Sequence, residues 1–260
     1  MIPSVQLLAV ASLAARRAGQ YVVANLSRRD DVNKASREDV KHKLDVESQR
    51  IIEEIIRASY PDHAILGEES VDRPEEESDY RWIVDPIDGT VNFFHGFPWW
   101  NCSVAVWYRG RAVAGSVFAP ELDKLYEATA DGPALCNGVP IHVSETENPE
   151  MSMFATGADK HDLGGLSFRG IRRIAETSQR ARLLGSAALD ICHVAEGRLD
   201  GYFESGIYLW DMAAASLILE RAGGTCSILK NYETPKYHIA FLATNGKLHD
   251  IYTQALLPLL

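Results

Sequence analysis

Residues 101–120, "NCSVAVWYRGRAVAGSVFAP", alternate on both sides of Arg109-Gly110. Period-two alternation broken by a two-residue turn signal predicts a β-hairpin, and a hairpin commits the chain to antiparallel pairing. "KLYEATA" (124–130) and "CNGVPIHVS" (136–144), the second with an Asn-Gly turn, add further short strands. Helical stripes flank this region. Apolar residues recur at helical spacing from Ser4 to about Leu26 and through "VESQRIIEEIIRASY" (46–60), where Ile51, Ile52, Ile55 and Ile56 share a face and Pro61 ends the run. "AILGEES" and "RWIVD" read as strands that end in acids. Further along, helices are expected over 165–178, 186–195 and 211–222, the last closed by Gly223-Gly224, and another after Lys247. Strands are expected over 181–185, 225–229 and 238–245, while "LDGYFES" carries no assigned element. Helices and hairpin strands interleave without a regular βαβ repeat. This predicts an α+β fold with layered, mixed or antiparallel sheets, not a doubly wound parallel one.

A chain of 260 residues with 46% hydrophobic residues buries a large core, as one domain or two closely packed halves. Thirty-six acids against 26 lysines and arginines give a net charge of −10. No nucleic-acid partner is expected, because binding through phosphate neutralisation needs a basic face. If the partner is an anion, something other than net charge must attract it. The four cysteines, Cys102, Cys136, Cys192 and Cys226, form no CxxC pair and read as free thiols in a reducing compartment. The apolar run Val5–Ala15 has no basic segment before it and is too short to span a bilayer. A cytoplasmic protein without a membrane partner is expected.

The chemistry concentrates in "RWIVDPIDGTVNFFHGFP" (81–98), where the apolar run Trp82, Ile83, Val84 leads into Asp85 and Asp88. Pro86 pushes Asp85 out of the α region and predicts a sharp turn that lets the two carboxylates converge. Paired aspartates with separate neighbours suit two divalent ions, and hard oxygen ligands select Mg²⁺ or Mn²⁺ over zinc. Gly89 lets a ligand approach the backbone, Thr90 offers a hydroxyl, and a helix starting there would present free N–H groups to an anion. Taken alone, Asp-Pro and Asp-Gly are ordinary turn dipeptides. Glu68 in "GEES" and Asp211 in "YLWDMAAASLILERAGG" are also acids at element ends, and Asp211 alone could be a helix N-cap. Three such acids, far apart in sequence, suit a metal site assembled by folding.

These residues, Glu68, Asp85, Asp88, Gly89, Thr90 and Asp211, resemble in kind and order the two signature motifs of the inositol monophosphatase family. That family comprises magnesium-dependent, lithium-sensitive phosphatases. The resemblance runs from about Lys34 to Gly224, through "DVKHKLD", "CNGVPIHVS" and "GSAALDICHVAEGRLDGYFE". It implies a layered αβαβα sandwich across 1–260, with a metal-binding half of about 1–145 and a specificity half of about 146–260. It also implies a cytoplasmic homodimer and two or three Mg²⁺ ions, with Mn²⁺ a possible substitute. By resemblance, Glu68, Asp85, the Ile87 carbonyl and Thr90 surround the first ion, and Asp85 bridges to a second held by Asp88 and Asp211. A third, weaker ion shares Glu68. Thr90 with Asp45 takes the proton of the attacking water, so Glu68, Thr90 and Asp45 carry catalysis, and Gly89 and Thr90 meet the phosphate. Asp88, Gly185, Ser186, Ala187, Glu204 and Asp211 meet the substrate. Two explanations stay open beside these roles: Ser186 as the cap of the helix that follows, and Glu204 as a solvated acid at a strand end.

The implied reaction is hydrolysis of myo-inositol 1-phosphate. The rivals are the same chemistry on fructose 1,6-bisphosphate, histidinol phosphate, 3′-phosphoadenosine 5′-phosphate or NADP, and a regulatory binding protein on the same fold. The sequence departs from the family at His42, where threonine is usual, and at Arg221, where glutamate is usual. Lys34 matches a basic residue near the phosphate or is a plain surface lysine. The cluster Phe93, Phe94, Phe97, Trp99 and Trp100 reads as core or dimer packing before base stacking. His95 and His161 read as structural or exposed.

Overall fold

The computed structural model describes residues 2–35, 40–70, 77–158 and 165–260, with the backbone alone over 32–35 and 40–42. In chain order the helices are α1 (Ser4–Ala24), α2 (Lys43–Ser59), α3 (Thr90–His95), α4 (Leu166–Thr177), α5 (Ala187–Ala195), α6 (Leu209–Arg221) and α7 (His249–Leu256). The strands are β1 (Val32–Ala35), β2 (Val40–His42), β3 (Ala64–Gly67), β4 (Tyr80–Asp88), β5 (Asn101–Tyr108), β6 (Arg111–Ala119) and β7 (Lys124–Thr129). They continue with β8 (Leu135–Cys136), β9 (Val139–Pro140), β10 (Met153–Thr156), β11 (Arg180–Arg182), β12 (Gly201–Tyr208), β13 (Thr225–Asn231) and β14 (His238–Thr244).

A seven-stranded sheet runs β3-β4-β5-β6-β7-β8-β9, antiparallel except for the parallel β3–β4 pair. A five-stranded sheet runs β11-β10-β12-β14-β13, parallel at β11-β10-β12 and antiparallel beyond. The expected hairpins are present. Arg109 and Gly110 have φ of 48° and 78°, and Asn137 and Gly138 have 50° and 77°, the paired positive values a two-residue hairpin turn needs.

Helices α1 and α2 cover one face of the larger sheet, α5 and α6 lie between the sheets, and α4 and α7 cover the far face of the smaller sheet. The layer order is therefore αβαβα. Each helix carries the pattern its layer requires. On α2, Ile52 and Ile56 are fully buried while Ile51 and Ile55 flank them, the narrow stripe of a surface helix. Helix α6 is buried continuously from Met212 to Leu219 because a sheet lies on each side. Trp82, Val104 and Phe93 sit in the core under α1, and Leu189, Ile218 and Phe241 in the core between the sheets. Each such side chain contributes about 1.5–3 kcal/mol by burial.

Three sequence expectations change here. The chain does not turn sharply after Asp85. Strand β4 continues to Asp88, pairing Asp85 with Ser103 and Asp88 with Asn101, so three steps on β4 meet two on β5. Pro86, which has no N–H to donate, is accommodated in that β-bulge. The unassigned "LDGYFES" supplies most of β12, the central strand of the smaller sheet, and β10 was likewise not anticipated. Helix α6 begins at Leu209, two residues before Asp211, and ends at Arg221 with Gly223 at φ 96°. Lys34 and His42 fall on β1 and β2, where the backbone alone is described, and His161 lies outside the described residues. Among the described residues no helix is long and apolar enough to cross a membrane. All four cysteines are free.

Candidate active site

In a regular strand, residues three apart point to opposite faces. The β4 bulge inserts the extra residue that returns Asp88 to the side Asp85 occupies. Asp211, in the first turn of α6, meets them there, and one carboxylate oxygen from each of the three lies within 4.8 Å of the others. Asp85 is 1% exposed and Asp88 7% exposed, so neither charge is solvated by bulk water.

The electrostatics follow from this crowding. Burial, then the charges of Glu68, Asp88, Asp211 and Asp45, hold the Asp85 carboxyl well above the usual carboxylate range. Burial and the charge of Asp88 do the same to Asp211. Burial raises Asp88 as well, opposed by hydrogen bonds from Ser186, Asn101 and the Ala187 and Ala188 amides. Its Oδ2 accepts from Ser186 Oγ at 2.6 Å, Asn101 Nδ2 at 2.8 Å and Ala188 N at 2.9 Å. Asp85 accepts from the Ile87 amide at 3.1 Å, and Asp211 from the Tyr208 amide at 2.7 Å. A buried set of mutually repelling hard-oxygen donors is the environment a divalent cation relieves, so these residues fit a metal of the Mg²⁺ or Mn²⁺ kind.

The other expected residues surround this trio. Glu68 is half-buried directly after β3, and Asp45 is buried in the first turn of α2; both act on Asp85 through their charge. Thr90 opens the short helix α3, and its hydroxyl donates to the Ile87 carbonyl at 2.9 Å. Gly89 has φ 89°, and an added Cβ would stand 2.8 Å from the Trp99 carbonyl and 3.3 Å from that of Gly185. A glycine there brings the 185–188 segment against the acids.

Ser186 stands at the N-cap position of α5 without a side-chain cap bond; its hydroxyl is spent on Asp88 instead. Asp88, Gly185, Ser186, Ala187, Glu204 and Asp211 all line one cavity of about 300 Å³. Thr156, Gly157, Ala158, Asp190 and Tyr208 line it too and were not foreseen. For Asp190 a signal existed: it lies three residues after Ala187, one turn along α5. Trp99 Nε1 donates to Asp190 Oδ1 at 2.9 Å, while burial and the charges of Asp88 and Glu204 push its carboxyl well up. A larger cavity of about 600 Å³, lined by Trp107, Arg111, Ser216 and Cys226 among others, holds none of the expected residues. Of the aromatic cluster, Phe93 and Trp100 are buried and pack edge to face, whereas Phe97 is 48% exposed. His95 is exposed and packs edge-on against Phe94.

The fold and site define a layered α+β protein with a buried carboxylate centre, suited to hard cations, at the wall of a small polar cavity. Residues 4–256 match the inositol monophosphatase family, and the chain belongs to it; it is a phosphatase of that family. It is 35% identical to the chloroplastic phosphatase IMPL1 of Arabidopsis thaliana over 99% of this chain and 71% of that protein. It is 37% identical to the Nus factor SuhB of Pasteurella multocida over 84% of this chain and 83% of that protein. An inositol monophosphatase structure from Anabaena superposes with a TM-score of 0.84 at 33% identity, covering 97% of this chain and 96% of the other.

Proposed function

We propose that the protein is a Mg²⁺-dependent phosphomonoesterase that hydrolyses inositol monophosphate, with myo-inositol 1-phosphate the leading substrate. The observation that carries this reading is the convergence of Asp85, Asp88 and Asp211, the last two of which line a cavity together with Glu204. Two or three ions would be held by Glu68, Asp85, the Ile87 carbonyl, Asp88 and Asp211. Bound divalent cations supply charge neutralisation for a phosphate dianion and acidify water near it. This reconciles an acidic protein with an anionic substrate.

The chain's own groups do the rest. In this reading the Thr90 hydroxyl, which here donates to the Ile87 carbonyl, turns its proton to Asp45 as it accepts the proton of the attacking water. The backbone at Gly89 and Thr90 receives phosphate oxygens. Ser186, Asn101 and the Ala188 amide keep Asp88 in one orientation, so that its remaining oxygen serves the metal and the substrate. Gly185, Ser186, Ala187 and Glu204 face the alcohol. The described lining includes four carboxylates, from Asp88, Asp190, Glu204 and Asp211, and no lysine or arginine, which favours a neutral polyol over an alcohol bearing a second phosphate. A homodimer in the cytoplasm belongs to the same reading.

The test is phosphate release by purified protein from myo-inositol 1-phosphate, fructose 1,6-bisphosphate, histidinol phosphate, 3′-phosphoadenosine 5′-phosphate and NADP, with Mg²⁺ and with EDTA. Metal-dependent release, greatest from the inositol ester, is expected. A clear preference for a nucleotide or a bisphosphate would overturn the substrate, and no release from any ester would overturn the catalytic reading.

A further inference from the structure

We propose that Tyr202 and Gly157 are positioning residues that hold the Glu204 carboxylate as a hydroxyl acceptor, so that the site selects monophosphate esters whose alcohol carries further hydroxyl groups. The inference rests on the phosphatase reading and deepens its substrate class.

Tyr202 and Glu204 are two apart on β12 and therefore share a face. Tyr202 is 1% exposed, and its hydroxyl donates to Glu204 Oε2 at 2.6 Å. A hydroxyl bond to a carboxylate is about twice the strength of a neutral one when the carboxylate is ionised. From the other side, β10 pairs with β12 at Thr156 and Phe203, so the next step along each strand sets Gly157 against Glu204. A Cβ at Gly157 would overlap the Glu204 carboxylate itself. The carboxylate is thus seated on bare backbone below and tied by a phenol beside. Both residues leave Glu204 on the wall of the cavity that Asp88 and Asp211 also line.

A glutamate held only by its own rotamers would lose entropy each time it ordered around a substrate. One seated in advance avoids that loss, and the benefit falls only on substrates that donate to it. A surface acid with no ligand role has no need of a fully buried tyrosine aimed at one of its oxygens. An acceptor at a fixed place distinguishes alcohols by whether they present an O–H there, and this discrimination is steep when the partner site is buried.

The experiment compares wild type, Tyr202→Phe, Gly157→Ala and Glu204→Gln on myo-inositol 1-phosphate and on phenyl phosphate, which has no free alcohol hydroxyl, with saturating Mg²⁺. Melting temperature serves as the folding control. Tyr202→Phe keeps the ring and removes only the oxygen. The kcat/KM ratio of inositol ester to phenyl ester is expected to fall about tenfold in Tyr202→Phe and Gly157→Ala, mainly through KM for the inositol ester, and at least as far in Glu204→Gln. A ratio unchanged in Tyr202→Phe, or both esters slowed alike, overturns the proposal. If wild type hydrolyses both esters with equal KM, the phosphatase reading stands and the hydroxyl selection falls. If it hydrolyses neither, the phosphatase reading falls, and the proposal is judged by the melting shift that myo-inositol 1-phosphate with Mg²⁺ produces. A shift present in wild type and lost in Tyr202→Phe supports it; no shift, or equal shifts, overturns it.

Discussion

Replacing Asp85 by asparagine should stabilise the metal-free protein while removing its response to metal. Asp85 sits among the other acids, and the Ile87 amide donates to an oxygen that asparagine retains. At the outer separation of 4.8 Å, each ionised neighbour repels it by about 3 kcal/mol at an effective dielectric of about 20. Protonation limits the total. The destabilisation cannot exceed the cost of carrying a proton at pH 7 against an unfolded value of 3.8, about 4 kcal/mol. The amide's new N–H groups need partners, and leaving them short returns about 1–3 kcal/mol. A net gain of about 1–3 kcal/mol corresponds to roughly 3–10 °C in a chain of this size. The sign also fixes the pH dependence. A carboxyl raised in the folded state contributes stability that is complete below the unfolded pKa and is lost as pH rises through the folded one. The variant's advantage in EDTA should therefore grow from pH 4 towards pH 7. The assay is thermal unfolding in EDTA and in excess Mg²⁺, with and without the substitution. Wild type should gain from metal far more than the variant. A variant that melts below wild type in EDTA, or that gains equally from Mg²⁺, would refute the reasoning.

Other substitutions test neighbouring parts of the structure. Ser186→Ala removes a donor from Asp88 and should raise the Mg²⁺ concentration for half-maximal activity by about 10- to 100-fold, read from metal titrations; an unchanged midpoint would deny the serine its orienting part. Gly89→Ala places a Cβ at φ 89° beside the Trp99 carbonyl and should cost about 1–3 kcal/mol in denaturant unfolding along with most of the activity. Burial lowers the His193 pKa below its usual 6.5, so the unfolded chain takes up that proton first and stability should decline as pH falls through 6.5. His193→Gln should flatten the decline between pH 7 and pH 5, measured as the change in denaturation midpoint.

The legible parts of this chain were those written in local pattern. Period-two alternation marked the hairpin at Arg109-Gly110, and the Asn-Gly dipeptide marked the one at Asn137-Gly138, because positive φ at two successive positions favours few residues. The apolar stripe on α2 and the acids at element ends were legible for similar reasons. The family resemblance then named the residues that meet at the cavity, which no spacing rule could bring together from positions 85, 186 and 211. What stayed hidden was set by long-range register. Asp85 and Asp88 share a side because β5 pairs with them at Ser103 and Asn101, and no local signal in "DPIDG" distinguishes a bulge from a turn. "LDGYFES" gives no clear element until β10 and β14 flank it. Ser186 looked like a cap, since the competing carboxylate is 98 residues away in sequence. Asn101 and Gly157 matter through close approaches that only tertiary packing reveals.

Helix α6 lies between the two sheets and delivers Asp211 to a pair of aspartates carried by the first. The acidic centre is thus a seam: β4 contributes two of its carboxylates, and a segment made more than a hundred residues later contributes the third. Neither sheet can assemble it alone. A nascent chain that has emerged only as far as β9 holds a binding centre missing one wall, and the centre closes only after α6 docks. A bound cation would therefore report the docking of α6, and would act as a latch between layers that hydrophobic packing alone would leave easier to part.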